Sequence, residues 1–161
     1  MSVSAAPAAL LIDAETPFDA AAIERVTLAA FGPGRFAKTA ERLRERAPLA
    51  AGFVAREEGR VIGSVRLWSI TVGGVPALFL GPIAVEASSR RAGTGAALVQ
   101  ACIDHARSVS DIAGVLLIGD PPYFARFGFR LAPNVRLPGP ADARRMMWLP
   151  VRQDEIEGAA T

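Results

Sequence analysis

The chain has 161 residues, of which 51% are hydrophobic and 21% charged, and its formal net charge is +2. This length predicts one domain that folds without a disulfide or a structural metal. The single cysteine, Cys102, excludes an internal disulfide and indicates a reducing, cytoplasmic location. Charges of both signs alternate from 41 to 46 without a basic stripe, so we expect no nucleic acid partner. The longest apolar run, 75 to 85, is about half of a membrane span, so we expect no membrane association.

The first fifty residues carry mainly helical patterns. We expect residues 1–9 to be flexible and a short strand to follow from 10 to 14. Thr16 and Pro17 then form a pair typical of a helix start. A second, charged helix is predicted from about 36 to 46, because the proline at position 48 ends it.

Strand patterns dominate the next part of the chain. Residues 52–57 and 60–72 are rich in strand formers and flank a Glu-Gly turn, so they predict a hairpin. Gly73 and Gly74 make the next tight turn. The third stretch, 76–85, is nearly all apolar, which predicts a strand that is covered on both faces.

A strand, a helix and a second strand follow in that order. Residues 95–107 carry an apolar stripe that includes Cys102, so we expect this thiol to be buried and inert. With strand residues 83–85 before it and the buried strand 115–118 after it, this helix predicts a right-handed βαβ crossover. The remaining elements are short: a helix that Gly128 ends, strands near 129–131 and 146–151, and a flexible tail from 153 to 161, which leaves residues 10–152 as the domain.

The loop before that helix is the most informative segment, and it reads Arg-Arg-Ala-Gly-Thr-Gly from Arg90 to Gly95. The first N–H groups of a helix have no internal partner and the macrodipole adds about half a positive charge, so this is a natural site for a pyrophosphate. A P-loop would need Gly-Lys-Ser/Thr, but the only lysine is Lys38. A dinucleotide-binding oxidoreductase would need glycine at the position of Leu98 and is a weaker alternative.

The loop fits the pattern Arg/Gln-x-x-Gly-x-Gly/Ala, with Arg90, Gly93 and Gly95 in register. In this the chain resembles the GNAT superfamily of acetyl-CoA-dependent N-acetyltransferases, and most closely a branch of uncharacterised predicted members. The spacing from Val85 to Arg90 and the segment Phe124-Ala-Arg-Phe-Gly-Phe also match the family. The resemblance covers about residues 10–151.

The resemblance implies an α/β (α+β) fold in a single domain, with a mixed, mostly antiparallel sheet, splayed central parallel strands and flanking helices. It implies acetyl-CoA as co-substrate, no metal, and direct attack by a primary amine. Backbone groups of Ile83 and Val85 would pair with the pantetheine arm, and an N–H near Ile83 would polarise the thioester carbonyl. The implied cofactor-binding residues are Ile83, Ala84, Val85, Arg90, Arg91, Ala92, Gly93, Thr94, Gly95, Ala96 and Phe124.

Two candidate residues could move protons. Glu86 is the carboxylate nearest to the implied thioester and would act as base directly or through water, with Asp120, a predicted helix N-cap, as a second candidate. The family's acid is often a tyrosine at the position of Phe124, which cannot donate a proton. Tyr123 is the candidate replacement, although neighbouring helix residues point about 100° apart. Without it the thiolate would leave unaided or take a proton from water, and we expect no catalytic role for His105.

The sequence does not identify the acceptor amine or the partners of the chain. A small-molecule or peptide amine is implied, and the segments 31–36 and 136–145 are the candidate acceptor site. A non-catalytic acyl-CoA-binding module with a regulatory role is the main alternative. A homodimer through the late strands is possible, and Trp68 and Trp148 are either core or cleft-lining residues.

Overall fold

The computed structural model describes residues 10–31, 43–45, 47–87, 93–139 and 142–161. The predicted flexible segment 1–9 and most of the second predicted helix lie outside these residues, although residues 43–45 of that helix are helical. The first part of the domain contains β1 (Leu10–Ala14), a 3-10 turn (Pro17–Asp19), α1 (Ala20–Phe31), β2 (Leu49–Glu57), β3 (Arg60–Val72) and β4 (Val75–Val85). The second part contains α2 (Thr94–Ser108), β5 (Gly114–Ile118), α3 (Pro121–Ala125), β6 (Arg130–Leu131), β7 (Val135–Arg136), a 3-10 turn (Ala143–Arg145), β8 (Met146–Pro150) and β9 (Gly158–Ala159).

Seven of these strands form one sheet in the order β1-β2-β3-β4-β5-β8-β6. Every neighbouring pair in it is antiparallel except β4 and β5, which are parallel. The predicted mixed, mostly antiparallel sheet is therefore confirmed. Strands β7 and β9 form a small parallel sheet of their own, which the sequence analysis did not predict.

The start of α1 is held to the sheet by an ionic network. The Thr16 backbone N–H donates to Asp19 Oδ2 at 2.8 Å, and Pro17 occupies the first position of the 3-10 turn. Both carboxylate oxygens of Asp19 accept hydrogen bonds from Arg56 on β2 at 2.8 Å, and Asp13 on β1 accepts another at 2.9 Å. A bidentate arginine–carboxylate pair fixes geometry as well as charge, so this network sets where α1 begins.

The two long helices cover opposite faces of the sheet. Ile23 and Val26 of α1 pack with Val54 and Ala84 on one face. The apolar stripe of α2 packs on the other face in a larger cluster that includes Cys102. Cys102 is fully buried, as predicted, and desolvation raises the pKa of its thiol. The burial on both faces explains why β4 is almost entirely apolar.

The prediction of a flexible tail from 153 to 161 is wrong. Thr161 exchanges two backbone hydrogen bonds of 2.9 Å with Thr71 on β3, and β9 pairs with β7. Ile156 is 7% exposed and Ala160 is 1% exposed, both within a core cluster on the α1 side of the sheet. The last residues carry few bulky side chains but bury those they have, because Gly158 lets this segment approach the β3–β4 turn closely.

Candidate functional site

The site is built around the point where β4 and β5 separate. The two strands pair at only two positions, Leu78 with Val115 and Phe79 with Leu116. The parallel contact therefore lies earlier on β4 than the predicted residues 83–85. Beyond it β4 continues to Val85 with no described partner on the β5 side. The predicted splayed strands are thus present, and the gap exposes backbone N–H and C=O groups of β4 to a ligand.

A bulge in β4 lies at the edge of this gap. Leu67 on β3 pairs with Leu80, whereas Val65 pairs with Ile83. Gly81 and Pro82 together therefore stand opposite a single β3 residue, which is the geometry of a β-bulge. After the bulge, Ile83 and Val85 pack toward the α2 face, while Ala84 packs toward the α1 face.

The N-terminus of α2 lies beside the end of β4. Gly93 is the N-cap residue with φ +90°, a left-handed conformation that favours glycine. The Thr94 side chain is fully buried, and its hydroxyl has no hydrogen-bond partner among the described residues. A Cβ added at Gly95 would lie 4.0 Å from Val85 Cγ2. The predicted contact residues Arg90, Arg91 and Ala92 lie outside the described residues, so the site is defined here by its helical half.

The short helix α3 directs its two neighbouring aromatic residues to different places. Phe124 is buried, and its ring lies against Gly119 at the end of β5. The Tyr123 hydroxyl instead points to the start of α2, 3.4 Å from the place where a Cβ on Gly95 would lie. The guanidinium of Arg126 covers the Tyr123 ring at 4.1 Å from its centroid. Of these two neighbouring aromatic residues, Tyr123 is therefore the one whose side chain reaches the start of α2.

The two candidate carboxylates are placed differently. The Glu86 backbone N–H donates to Ile62 on β3 at 2.7 Å, and its carboxylate accepts a hydrogen bond from Arg60 at 2.5 Å. Glu86 therefore leans toward β3, away from the β5 side of the gap. Asp120 occupies the N-cap position of α3 as predicted, but its side chain makes no capping hydrogen bond. Its position directly after Gly119 puts it at the β5 border of the gap.

The structure also places His105 and the two tryptophans. His105 is half-buried and packs edge-on against Phe53 with ring centroids 6.0 Å apart, far along α2 from its N-terminus. Trp148 is a core residue with 1% exposure. Trp68 is half-buried and reaches the bulge, because its indole N–H donates to the carbonyl of Gly81 at 2.6 Å. Trp68 was expected to be either a core or a cleft-lining residue, and its contact with the bulge was not predicted, although a Gly-Pro pair inside a strand pattern is a recognisable sign of a bulge.

Two broader features complete the description. Within the described part of the chain, no group of three or more His, Cys, Asp or Glu side chains is arranged to hold a metal ion. None of the helices described here is long and apolar enough to cross a membrane.

Comparison with known proteins places this geometry in a family. The sequence model of the acetyltransferase (GNAT) family matches residues 20–129. The uncharacterised N-acetyltransferase YhbS of Escherichia coli K12 is 36% identical over 126 residues, which are 76% of this chain and 75% of that protein.

Solved structures give the same assignment. The GNAT family N-acetyltransferase YhbS from Escherichia coli, in complex with CoA, superposes with a TM-score of 0.82 and 28% identity over 99% of this chain and 92% of its own. A GNAT family acetyltransferase from Brucella melitensis, in complex with acetyl-CoA, has a TM-score of 0.74 and 28% identity over 95% of both chains. Because the family model spans more than half of the sequence and a relative above 30% identity covers three quarters of it, the chain belongs to the acetyltransferase (GNAT) family.

Proposed function

We propose that the chain binds acetyl-CoA in the gap between β4 and β5 and transfers the acetyl group to a primary amine by direct attack. The observation that carries this proposal is the placement of the α2 N-terminus at the open end of two diverging parallel strands. The helix start offers free amides to a diphosphate, and the gap offers strand amides to the pantetheine arm. The relatives with CoA or acetyl-CoA bound support the choice of cofactor.

The diphosphate end of the site is supported by three adjacent residues. Gly93 holds a left-handed conformation, and none of the residues that the structure describes comes within 4 Å of the place where a Cβ would lie, so glycine leaves this backbone open to close approach. The Thr94 hydroxyl is buried and has no hydrogen-bond partner in the described part of the chain, which makes it the kind of group that a bound ligand satisfies. Arg90, Arg91 and Ala92 belong to the proposal through the sequence pattern, and an arginine there would add a charge-assisted hydrogen bond to a phosphate.

The acetyl end of the site is proposed to lie along β4. Ile83, Ala84 and Val85 pair with β3 on one side, and their remaining backbone groups face the gap. An extended pantetheine arm would pair with those groups like an added strand. An N–H at Ile83 would then stabilise the oxyanion that forms when the amine attacks.

Proton transfer completes the proposal, because an ammonium must lose a proton before it can attack. Glu86 is proposed as the base, acting through a water molecule that relays the proton. The same carboxylate also forms an ion pair with Arg60, which competes with this role. Asp120 is the second candidate, at the β5 border of the gap. Phe124 is proposed to line the cofactor site as an apolar residue, since it packs in the core around α3.

Tyr123 has two possible roles with different readouts. Its hydroxyl lies beside Gly95, whose other near neighbour is Val85, and Ile83 is two strand residues further from Val85 along β4, about 7 Å. This position favours a hydrogen bond to bound cofactor, and protonation of the thiolate is the second role. Tyr123→Phe separates them: loss of a cofactor contact raises the Kd of CoA, while loss of the proton donor lowers kcat and alters its pH profile at an unchanged Kd.

The proposal is tested first by calorimetric titration with acetyl-CoA and CoA, and then by transfer of labelled acetyl groups to a panel of amines, amino acids and peptide N-termini. We expect saturable binding, transfer to at least one class, and a slower rate in Glu86→Gln or Tyr123→Phe. Absence of heat and of any rise in Tm at millimolar CoA would contradict the proposal. Binding without transfer to any amine would instead support the alternative, a non-catalytic acyl-CoA-binding module.

Two finer points of the proposal concern location and assembly. A cytoplasmic location rests on the single cysteine.

A homodimer through the late strands is supported by β6, which ends the seven-stranded sheet and leaves Leu131 52% exposed. Light scattering over a range of concentrations measures this, and a constant mass near 16.9 kDa would contradict it.

A further inference from the structure

The indole of Trp68 makes a hydrogen bond to the backbone of the neighbouring strand. Trp68 lies on β3 opposite Phe79 of β4. Its Nε1–H does not point to solvent but donates to the backbone carbonyl of Gly81 at 2.6 Å. The side chain of one strand thus binds the main chain of the next strand, two residues beyond its own pairing partner.

The bulge explains why this carbonyl needs a side-chain donor. Pairing between β3 and β4 is regular up to Leu80 and resumes at Ile83, so Gly81 and Pro82 are both out of register. A bulge interrupts the ladder of backbone hydrogen bonds, and Pro82 has no N–H to contribute. An interior carbonyl without a partner is costly. The indole N–H of Trp68 takes the place of the missing backbone donor.

From this geometry we infer that Trp68 is a positioning residue for the cofactor site, because it holds the backbone of β4 directly before Ile83. The inference rests on the proposed function, in which the backbone at Ile83 and Val85 binds the acyl-pantetheine arm. The orientation of those peptide groups depends on where the bulge places the chain two residues earlier. Trp68 therefore acts through Gly81 and needs no contact with the acetyl group itself.

The chain contains a matched control for this role. The second tryptophan, Trp148, also donates its indole N–H to a backbone carbonyl, that of Gln153 at 3.0 Å. It is buried in the core and its partner lies outside the bulge and the gap. Trp68→Phe and Trp148→Phe therefore remove the same kind of hydrogen bond and leave an aromatic ring. Only the hydrogen bond of Trp68 is made to the backbone of β4.

The test measures the Kd of CoA, the KM of acetyl-CoA and the Tm for the wild type and both variants. We expect Trp68→Phe to raise the Kd and KM by about three- to tenfold, which is the equivalent of one net hydrogen bond, whereas Trp148→Phe lowers the Tm and leaves the Kd within twofold. Equal Kd values in all three proteins would overturn the inference while leaving the proposed function intact. A wild type that does not bind CoA would overturn both.

A spectroscopic readout decides the question if Trp68→Phe does not fold. The wild type has two indole N–H groups, which give two resonances in a ¹H–¹⁵N spectrum, and Trp148→Phe assigns them by elimination. We expect the Trp68 resonance to lie downfield, as befits a short hydrogen bond, and to shift on addition of CoA, while that of Trp148 stays in place. An unmoved Trp68 resonance at saturating CoA would overturn the positioning role.

Discussion

Acid should weaken the attachment of α1 to the sheet through one carboxylate, Asp19. This side chain is 7% exposed, and both of its oxygens accept hydrogen bonds from Arg56 at 2.8 Å. The Arg56 guanidinium, followed by the Thr16 backbone N–H, lowers the pKa of Asp19 from 3.8 to about 2. The carboxylate therefore stabilises the fold fully at any pH where it is ionised in both the folded and the unfolded state, that is, above about pH 4.

The size and sign of the effect follow from linkage between folding and protonation. A carboxylate whose pKa is lower in the folded state contributes stability that is lost as the pH falls from the unfolded value, 3.8, to the folded value, about 2. The difference of about 1.8 pH units corresponds to about 2 kcal/mol at neutral pH, since one unit is about 1.4 kcal/mol. Asp19→Asn should therefore cost about 2 kcal/mol at pH 7 and almost nothing at pH 2.

Urea unfolding at pH 7, 5, 4, 3 and 2 measures the difference between the wild type and Asp19→Asn. Taking the difference isolates the effect of the substitution at Asp19. Asp13→Asn is the matched control, because Asp13 also binds Arg56 but its side chain is 47% exposed, so its effect should stay below about 1 kcal/mol. A penalty for Asp19→Asn that does not shrink between pH 5 and pH 2 would refute the reasoning.

Two further experiments test the site and the tail. Gly93→Ala and Gly59→Ala both place a Cβ at a positive φ, +90° and +78°, with no described residue within 4 Å of it. Each should therefore cost about 1–2 kcal/mol of stability, but only Gly93→Ala should weaken CoA binding, by tenfold or more in a titration. Equal CoA affinity in the two variants would argue against the diphosphate site at the α2 N-terminus. Ile156→Ala should cost about 2–5 kcal/mol in urea unfolding, because Ile156 is 7% exposed in the core. A cost near zero would mean that the tail is not docked in solution.

The sequence by itself determined the order of the main elements and predicted an anion site in the loop before α2. Apolar periodicity located β4, α2 and β5. A strand that is covered on both faces has a continuous run of apolar residues, whereas a helix with one covered face has apolar residues at helical spacing. Gly93 and Gly95 lie between a strand and a helix, and this arrangement indicated an anion site. It could be recognised in the sequence because the backbone conformation of a loop and the free amides of a helix start depend on neighbouring residues alone. These are short-range properties, which a single sequence carries.

Only the tertiary structure decided the contacts between residues distant in sequence. The parallel pairing at Leu78 and Phe79 could not be read from β4, because every residue of that strand is apolar and none marks the register. The direction of the Tyr123 hydroxyl depends on how α3 packs against α2. The docking of the tail depends on a complementary surface at Gly73, which lies 85 residues before its contact residue Gly158. The partner of the Trp68 indole depends on a bulge whose effect on register appears only when two strands are paired.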